Sequence, residues 1–174
     1  MRWGAAVWRW PGRRYGRSGG IPLGSCVYDL LLFYHGEKQE GHGGPQESER
    51  MLIAGELTEQ TIGLAIEVHR NTGRGLLESA YEQCLCHELR QAGIACERQV
   101  LVPVMYKGMA IGDGFRADIV VAGEVILEIK AVAAILPAHE AQLHTYLSMS
   151  GLHVGLILNF NARRLTDGIR RTVL

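Results

Sequence analysis

Three side chains capable of chemistry lie inside an unusually apolar stretch. Asp118, Glu128 and Lys130 interrupt the run 115–132, Phe-Arg-Ala-Asp-Ile-Val-Val-Ala-Gly-Glu-Val-Ile-Leu-Glu-Ile-Lys-Ala-Val. β-Branched residues dominate on either side of an Ala122-Gly123 turn signal, so the segment reads as a β-hairpin. Alternation along a strand then puts Glu128 and Lys130 on one face and Leu127 and Ile129 on the other. Loop length decides whether Asp118 joins them: a two-residue loop pairs 118 with 127, whereas a three-residue loop, 122 to 124, sets 118 opposite 128. Gly123 supplies the positive φ of a three-residue hairpin, so an odd-length loop or a bulge is expected. Opposed carboxylates repel by some tenths to about 1 kcal/mol unless a cation lies between them. A divalent metal would remove that repulsion. The competing reading is a surface hairpin whose Glu128 and Lys130 form an ion pair. Burial favours the first, because a charge inside such an apolar run needs a partner or a task.

The elements that must hold these groups can be read in order. Residues 1–50 are rich in Gly and Arg and lack a sustained period, and the first well-patterned segment opens at Met51. The expectation is a disordered or non-native extension over 1–50 and one folded domain over 51–174. No export signal is evident in the extension. A helix is expected from Thr58 as N-cap, with Ile62, Ala65, Ile66 and His69 on one stripe. The Gly73-Arg74-Gly75 turn ends it, and a second helix runs from about Leu76 to Ala92, with Gly93 as its C-cap. Glu78 falls in the first turn of that helix, where an acid is also favourable simply by its place at the N-terminus. Val100, Val102, Val104 and Tyr106 alternate on a strand, and Lys107-Gly108 turns the chain back into 109–121. After the hairpin, Pro137 opens a third helix carrying His139, Gln142 and Tyr146 at helical spacing, followed by an apolar strand over 154–160. The order α-α-β-β-β-α-β implies an α/β fold with a mixed, largely buried sheet flanked by helices.

Composition narrows the possibilities. The formal net charge is zero, yet residues 1–50 hold 7 Lys/Arg against 5 Asp/Glu, and residues 51–174 hold 11 against 13. The folded part is no polycation, so contact with nucleic acid must rest on local patches. Arg163, Arg164, Arg170 and Arg171 form one such patch or a solvated basic tail. Cys26, Cys84, Cys86 and Cys96 lack the spacing of a zinc site and suit reduced thiols in a cytosol. No apolar run reaches the length of a membrane span.

Asp118, then Glu128-x-Lys130 on the next strand, then Gln142 on the following helix, resembles the pattern of the PD-(D/E)XK nuclease superfamily, with its restriction-endonuclease-like core. Gly75-Leu76-Leu77-Glu78-Ser79-Ala80-Tyr81 resembles the signature of its GxxExxY group, as do Tyr106-Lys107-Gly108, His139-Glu140-Ala141-Gln142-Leu143 and Asn159-Phe160-Asn161. The likeness spans about Leu57 to the C-terminus; it departs at Thr72, where the group usually carries an apolar residue. It implies a metal-dependent nuclease acting on nucleic acid, with DNA expected, in repair or defence. Asp118, Glu128 and Glu78 would hold Mg2+ or Mn2+. Lys130 would orient the attacking hydroxide, and Gln142 and Tyr146 would position substrate and Lys130. A cytoplasmic protein without membrane contact is implied, and the oligomeric state is open, a homodimer among the possibilities. The same fold also supports a catalytically silent nucleic-acid- or protein-binding module, so the residues alone leave both classes standing.

Overall fold

A computed structural model describes residues 47–107 and 109–174 of the chain. Helices α1 (Glu47–Thr72) and α2 (Glu78–Gln91) precede strands β1 (Cys96–Tyr106), β2 (Met109–Val121) and β3 (Val125–Lys130). Helix α3 (Pro137–Ser150), strand β4 (Val154–Asn159), a 3-10 turn (Leu165–Gly168) and strand β5 (Ile169–Val173) complete the order. The five strands lie in the order β1-β2-β3-β4-β5. Only β3 and β4 are parallel, because α3 crosses over between them and returns the chain in the same direction.

The sheet is covered on both faces, which is why its central strands are apolar throughout. On one face Ala65, Val68, Tyr81, Leu85 and Leu89 of α1 and α2 pack against Leu127, Ile129, Leu156 and Leu158. On the other, Leu143, Tyr146 and Leu147 of α3 pack against Val120, Ile126 and Ile157. β3 therefore has no solvent face, and Val125 to Ile129 are all buried. The result is the mixed α/β sandwich that the element order implies.

Several expectations need correction. The basic tail is a fifth strand that pairs antiparallel with β4, Ile157 opposite Arg170 and Leu156 opposite Arg171. Polar alternation hid it, since an edge strand with exposed arginines carries little of the apolar signal of a core strand. Helix α1 does not begin at Thr58: that residue is interior and buried, its hydroxyl donating to the Ala54 carbonyl at 2.6 Å. Helix α2 begins at Glu78, two residues later than the pattern suggests, and Ala92 is its C-cap, with Gly93 just beyond at φ 74°. The reading of residues 1–50 falls largely outside the described residues; α1 takes in the last four of them.

Strand β1 also breaks its alternation. Cys96 packs on the α1/α2 side and Arg98 reaches Glu82 of α2, whereas Val100 and Val102 pack on the α3 side. Strand β2 changes face at the same level: Ile119 and Val121 belong to one core, Ala117 and Phe115 to the other. Both strands exchange faces at Gln99 and Asp118, the one level at which no Cα partnership forms between Cys96 and Val102. Further out, Pro103 has no N–H to donate, and the register shifts between Val102 and Val104. Gly114 sits in the slack of β2 at φ 70°, where an added Cβ would collide with the backbone of Val102 and Pro103. Gly114→Ala is therefore expected to cost ~1–3 kcal/mol, visible as a lower midpoint in thermal denaturation of the full chain.

Candidate active site

The hairpin between β2 and β3 has a three-residue loop, with Val121 opposite Val125 and Ile119 opposite Leu127. Ala122 and Gly123 turn through φ 50° and 70°, and the Glu124 N–H donates to the Val121 carbonyl at 2.9 Å. The expected odd-length loop is present, and continuing that register puts Asp118 across from Glu128. Here the ladder stops. The Asp118 side chain takes the place of a backbone acceptor, its Oδ2 receiving the Ile129 N–H at 2.8 Å. A carboxylate thus caps the gap where two strands part.

Glu128 shares the α3 face with Ile126 and is 1% exposed. Its Oε2 accepts a hydrogen bond from Lys130 Nζ at 2.9 Å. The other oxygen, Oε1, is buried without a hydrogen-bond partner among the described residues, an arrangement natural proteins rarely leave uncompensated. Burial above all, then the charge of Asp118, raises the Glu128 carboxyl to about 7. Burial also raises Asp118, against the pull of its bond from Ile129 and the charge of Lys130. For Lys130, burial works against the charged form, but the bond to Glu128 and the charges of Glu128, Asp118 and Glu78 outweigh it, so its pKa rises and it stays an ammonium.

Glu78 enters from the other side of the sheet. Its Oε1 accepts the Ala131 N–H at 3.1 Å, tying the start of α2 to the end of β3. The preceding turn explains the Gly75, Glu78 and Tyr81 spacing: Tyr81 Oη donates to the Gly73 carbonyl at 2.9 Å and accepts the Leu76 N–H at 3.1 Å. Tyr81 is itself fixed by stacking on Phe160, ring centroids 4.3 Å apart. Gly75 at φ 102° permits the turn. On α3, Gln142 Nε2 donates to Tyr146 Oη at 2.6 Å. Burial raises Tyr146 too, offset by the Gln142 bond and reinforced by Glu128 and Asp118, whose charges reach it. Asp118, Glu128, Lys130 and Tyr146 therefore share one electrostatic neighbourhood, and Glu78 acts on the first three.

Other expected residues are arranged differently. Among the described residues no three His, Cys, Asp or Glu side chains gather into a ready metal-ligand cluster. Arg163, Arg164, Arg170 and Arg171 do not share one face, because Arg170 and Arg171 are neighbours on a strand and point oppositely. Arg170 stands in the cross-sheet row of Ile157 and Glu128 and meets Glu140 at 3.8 Å, while Arg164 pairs with Asp167 at 3.1 Å. His69 is structural, bonding the Ala162 carbonyl at 3.1 Å. His139 caps α3, its Nδ1 accepting the Leu136 N–H at 3.2 Å.

Sequence reasoning passed over Glu82 and gave Asn159 no role. Glu82 is 3% exposed and its charge contributes to raising Asp118; its place four residues after Glu78, on the same helical side, was the available signal. Asn159 forms a two-way amide pair with Val132, donating to its carbonyl at 2.9 Å and accepting its N–H at 3.1 Å. That pair fixes the chain as it leaves Lys130.

A family model described as the PD-(D/E)XK nuclease superfamily matches residues 55–172. The chain belongs to that superfamily. No curated protein and no solved structure matches the chain.

A carboxyl raised by folding binds its proton more tightly in the native state. Its contribution to stability is complete below 4.5 and lost as pH rises toward about 7. With a chelator present, the melting temperature of Glu128→Gln relative to wild type is expected to climb through that window and level off above it. A constant difference would mean that Glu128 titrates as an ordinary carboxylate.

Proposed function

We propose that this chain is a GxxExxY-type nuclease that hydrolyses phosphodiester bonds in DNA with Mg2+ or Mn2+. The observation that carries the reading is the buried Oε1 of Glu128, without a partner among the described residues, beside a lysine and across the sheet register from a second carboxylate. The donor set fits a hard divalent cation. Carboxylate oxygen is its preferred ligand, and Mg2+ commonly takes one or two carboxylates and fills its remaining positions with water and substrate phosphate. Two acids are therefore enough, and the missing third is no obstacle. Asp118 and Glu128 would hold the ion, with Glu78 near enough to act on their charge. When bound, such an ion offsets phosphate charge and makes a water acidic.

The protein's own groups supply the rest. Lys130, kept charged by its acidic neighbours, presents an ammonium that can orient an attacking oxygen and stabilise the charge developing on phosphate. Its bond to Glu128 fixes it in the site. Gln142 and Tyr146 stand on the same face and, joined at 2.6 Å, offer a polar edge to position substrate and Lys130. The thiols of Cys84, Cys86 and Cys96 are free, which suits a reducing, cytoplasmic setting. Among the described residues no helix is long and apolar enough to cross a membrane.

Single- and double-stranded DNA and RNA, incubated with the full chain and Mg2+ or Mn2+, test the reading. Cleavage of DNA is expected, with kcat falling roughly 10²–10³-fold in Lys130→Ala and lost in Asp118→Ala. Wild-type protein that binds nucleic acid without cutting it would establish the silent-module alternative instead. Independently of cutting, Mn2+ at a hundredfold its Kd is expected to add about 2.7 kcal/mol of stability, and a melting temperature indifferent to Mn2+ would exclude a metal site.

A further inference from the structure

The strained residue nearest the site is not among the acids. Gln99 has φ 56°, one of three non-glycine residues in the left-handed region among those described. The other two, Lys107 and Ala122, lie in the turns between strands. Gln99 alone lies within a strand, at the level of Asp118, where β1 and β2 exchange faces. Backbone strain of this kind persists only when the surroundings hold it.

They hold it at both ends. Gln99 Nε2 donates to Glu82 Oε2 at 3.0 Å. The same oxygen receives Arg98 Nε at 3.1 Å and Arg98 Nη2 at 2.9 Å. Glu82 is buried on α2, so the tether is anchored in the helix layer. The Gln99 carbonyl accepts a bond from Arg116 Nη1 at 3.3 Å. An extended residue at 99 would continue the antiparallel ladder through Asp118 and keep the alternation of both strands. Asp118 would then face one side of the sheet, rather than lying along it to meet the Ile129 N–H.

We propose that the left-handed turn at Gln99, tethered by Glu82, is the device that aims Asp118, making Gln99 a positioning residue for that carboxylate. The catalytic consequence rests on the nuclease reading; the positioning itself does not. Amide hydrogen exchange of Ile129 in the full chain reads it directly, taken as a ratio to Leu156 on the neighbouring strand to remove any general loss of stability. Gln99→Val, which resists a positive φ, is expected to speed Ile129 exchange roughly tenfold on that ratio. Gln99→Gly and Gln99→Asn, which tolerate the turn, are expected to stay near wild type. Gln99→Ala replaces the valine variant should that one fail to fold. An unchanged ratio in Gln99→Val overturns the proposal, as does equal acceleration in the valine and glycine variants. Where wild type cleaves DNA, Gln99→Val is also expected to lower kcat with KM held. Should wild type not cleave, the nuclease reading falls while the exchange ratio still decides this one.

Discussion

A carboxylate buried in the middle of a two-sided sheet is the constraint on which the rest of the structure depends. Glu128 sits between Leu127 and Ile129 on a strand without a solvent face, 1% exposed. Such a group is held there at a cost that its neighbours must offset. One oxygen is satisfied by Lys130 and the other by no group among the described residues. The unsatisfied half leaves a buried carboxylate oxygen open to a ligand, and the satisfied half keeps the ammonium in place. A departure from full polar satisfaction of this kind is expected at sites that natural proteins keep for a task.

Around that centre the fold directs backbone irregularities to one place. The β2–β3 ladder ends after the Ile119 and Leu127 pair, and Asp118 occupies the gap. Strand β3 ends two residues beyond Glu128, and its freed Ala131 N–H is taken by Glu78. Val132 is then fixed by Asn159 at the end of the parallel neighbour β4. Each of these contacts uses a side chain where regular structure would use a backbone group. Asp118 and Glu78 are thus positioned by the sheet's unmet hydrogen bonds, next to the end of the strand that carries Glu128.

The helices differ in how they serve this end. Helix α2 presents Glu78 and Glu82 on one side, and its starting turn is fixed by the Tyr81 hydroxyl and the Phe160 ring. Helix α3 covers the opposite face and brings Tyr146 close enough to respond to Glu128 and Asp118. The edge strand β5 adds Arg170 in the cross-sheet row of Glu128. Charged groups thus surround the site from both layers and from the sheet itself.

Periodicity and turn chemistry in the chain determined the element order as far as β4, the odd-length hairpin loop and the singling out of Asp118, Glu128 and Lys130, because those features depend on residues close together in sequence. Apolar strands β3 and β4 were legible for the same reason. Helix starts were less so: Thr58 carries the chemistry of a cap, but in place its hydroxyl bonds back to the Ala54 carbonyl within a longer helix. The fifth strand was hidden because its stability comes from pairing with β4, not from its own arginine-rich pattern. Glu82, Gln99 and Asn159 acquire their roles only through partners 16 to 27 residues away, and no local rule announces such contacts. Burial, the raised Glu128 carboxyl and the division of the arginines between two faces were likewise decided by tertiary structure, since each depends on what lies across the sheet rather than along the chain.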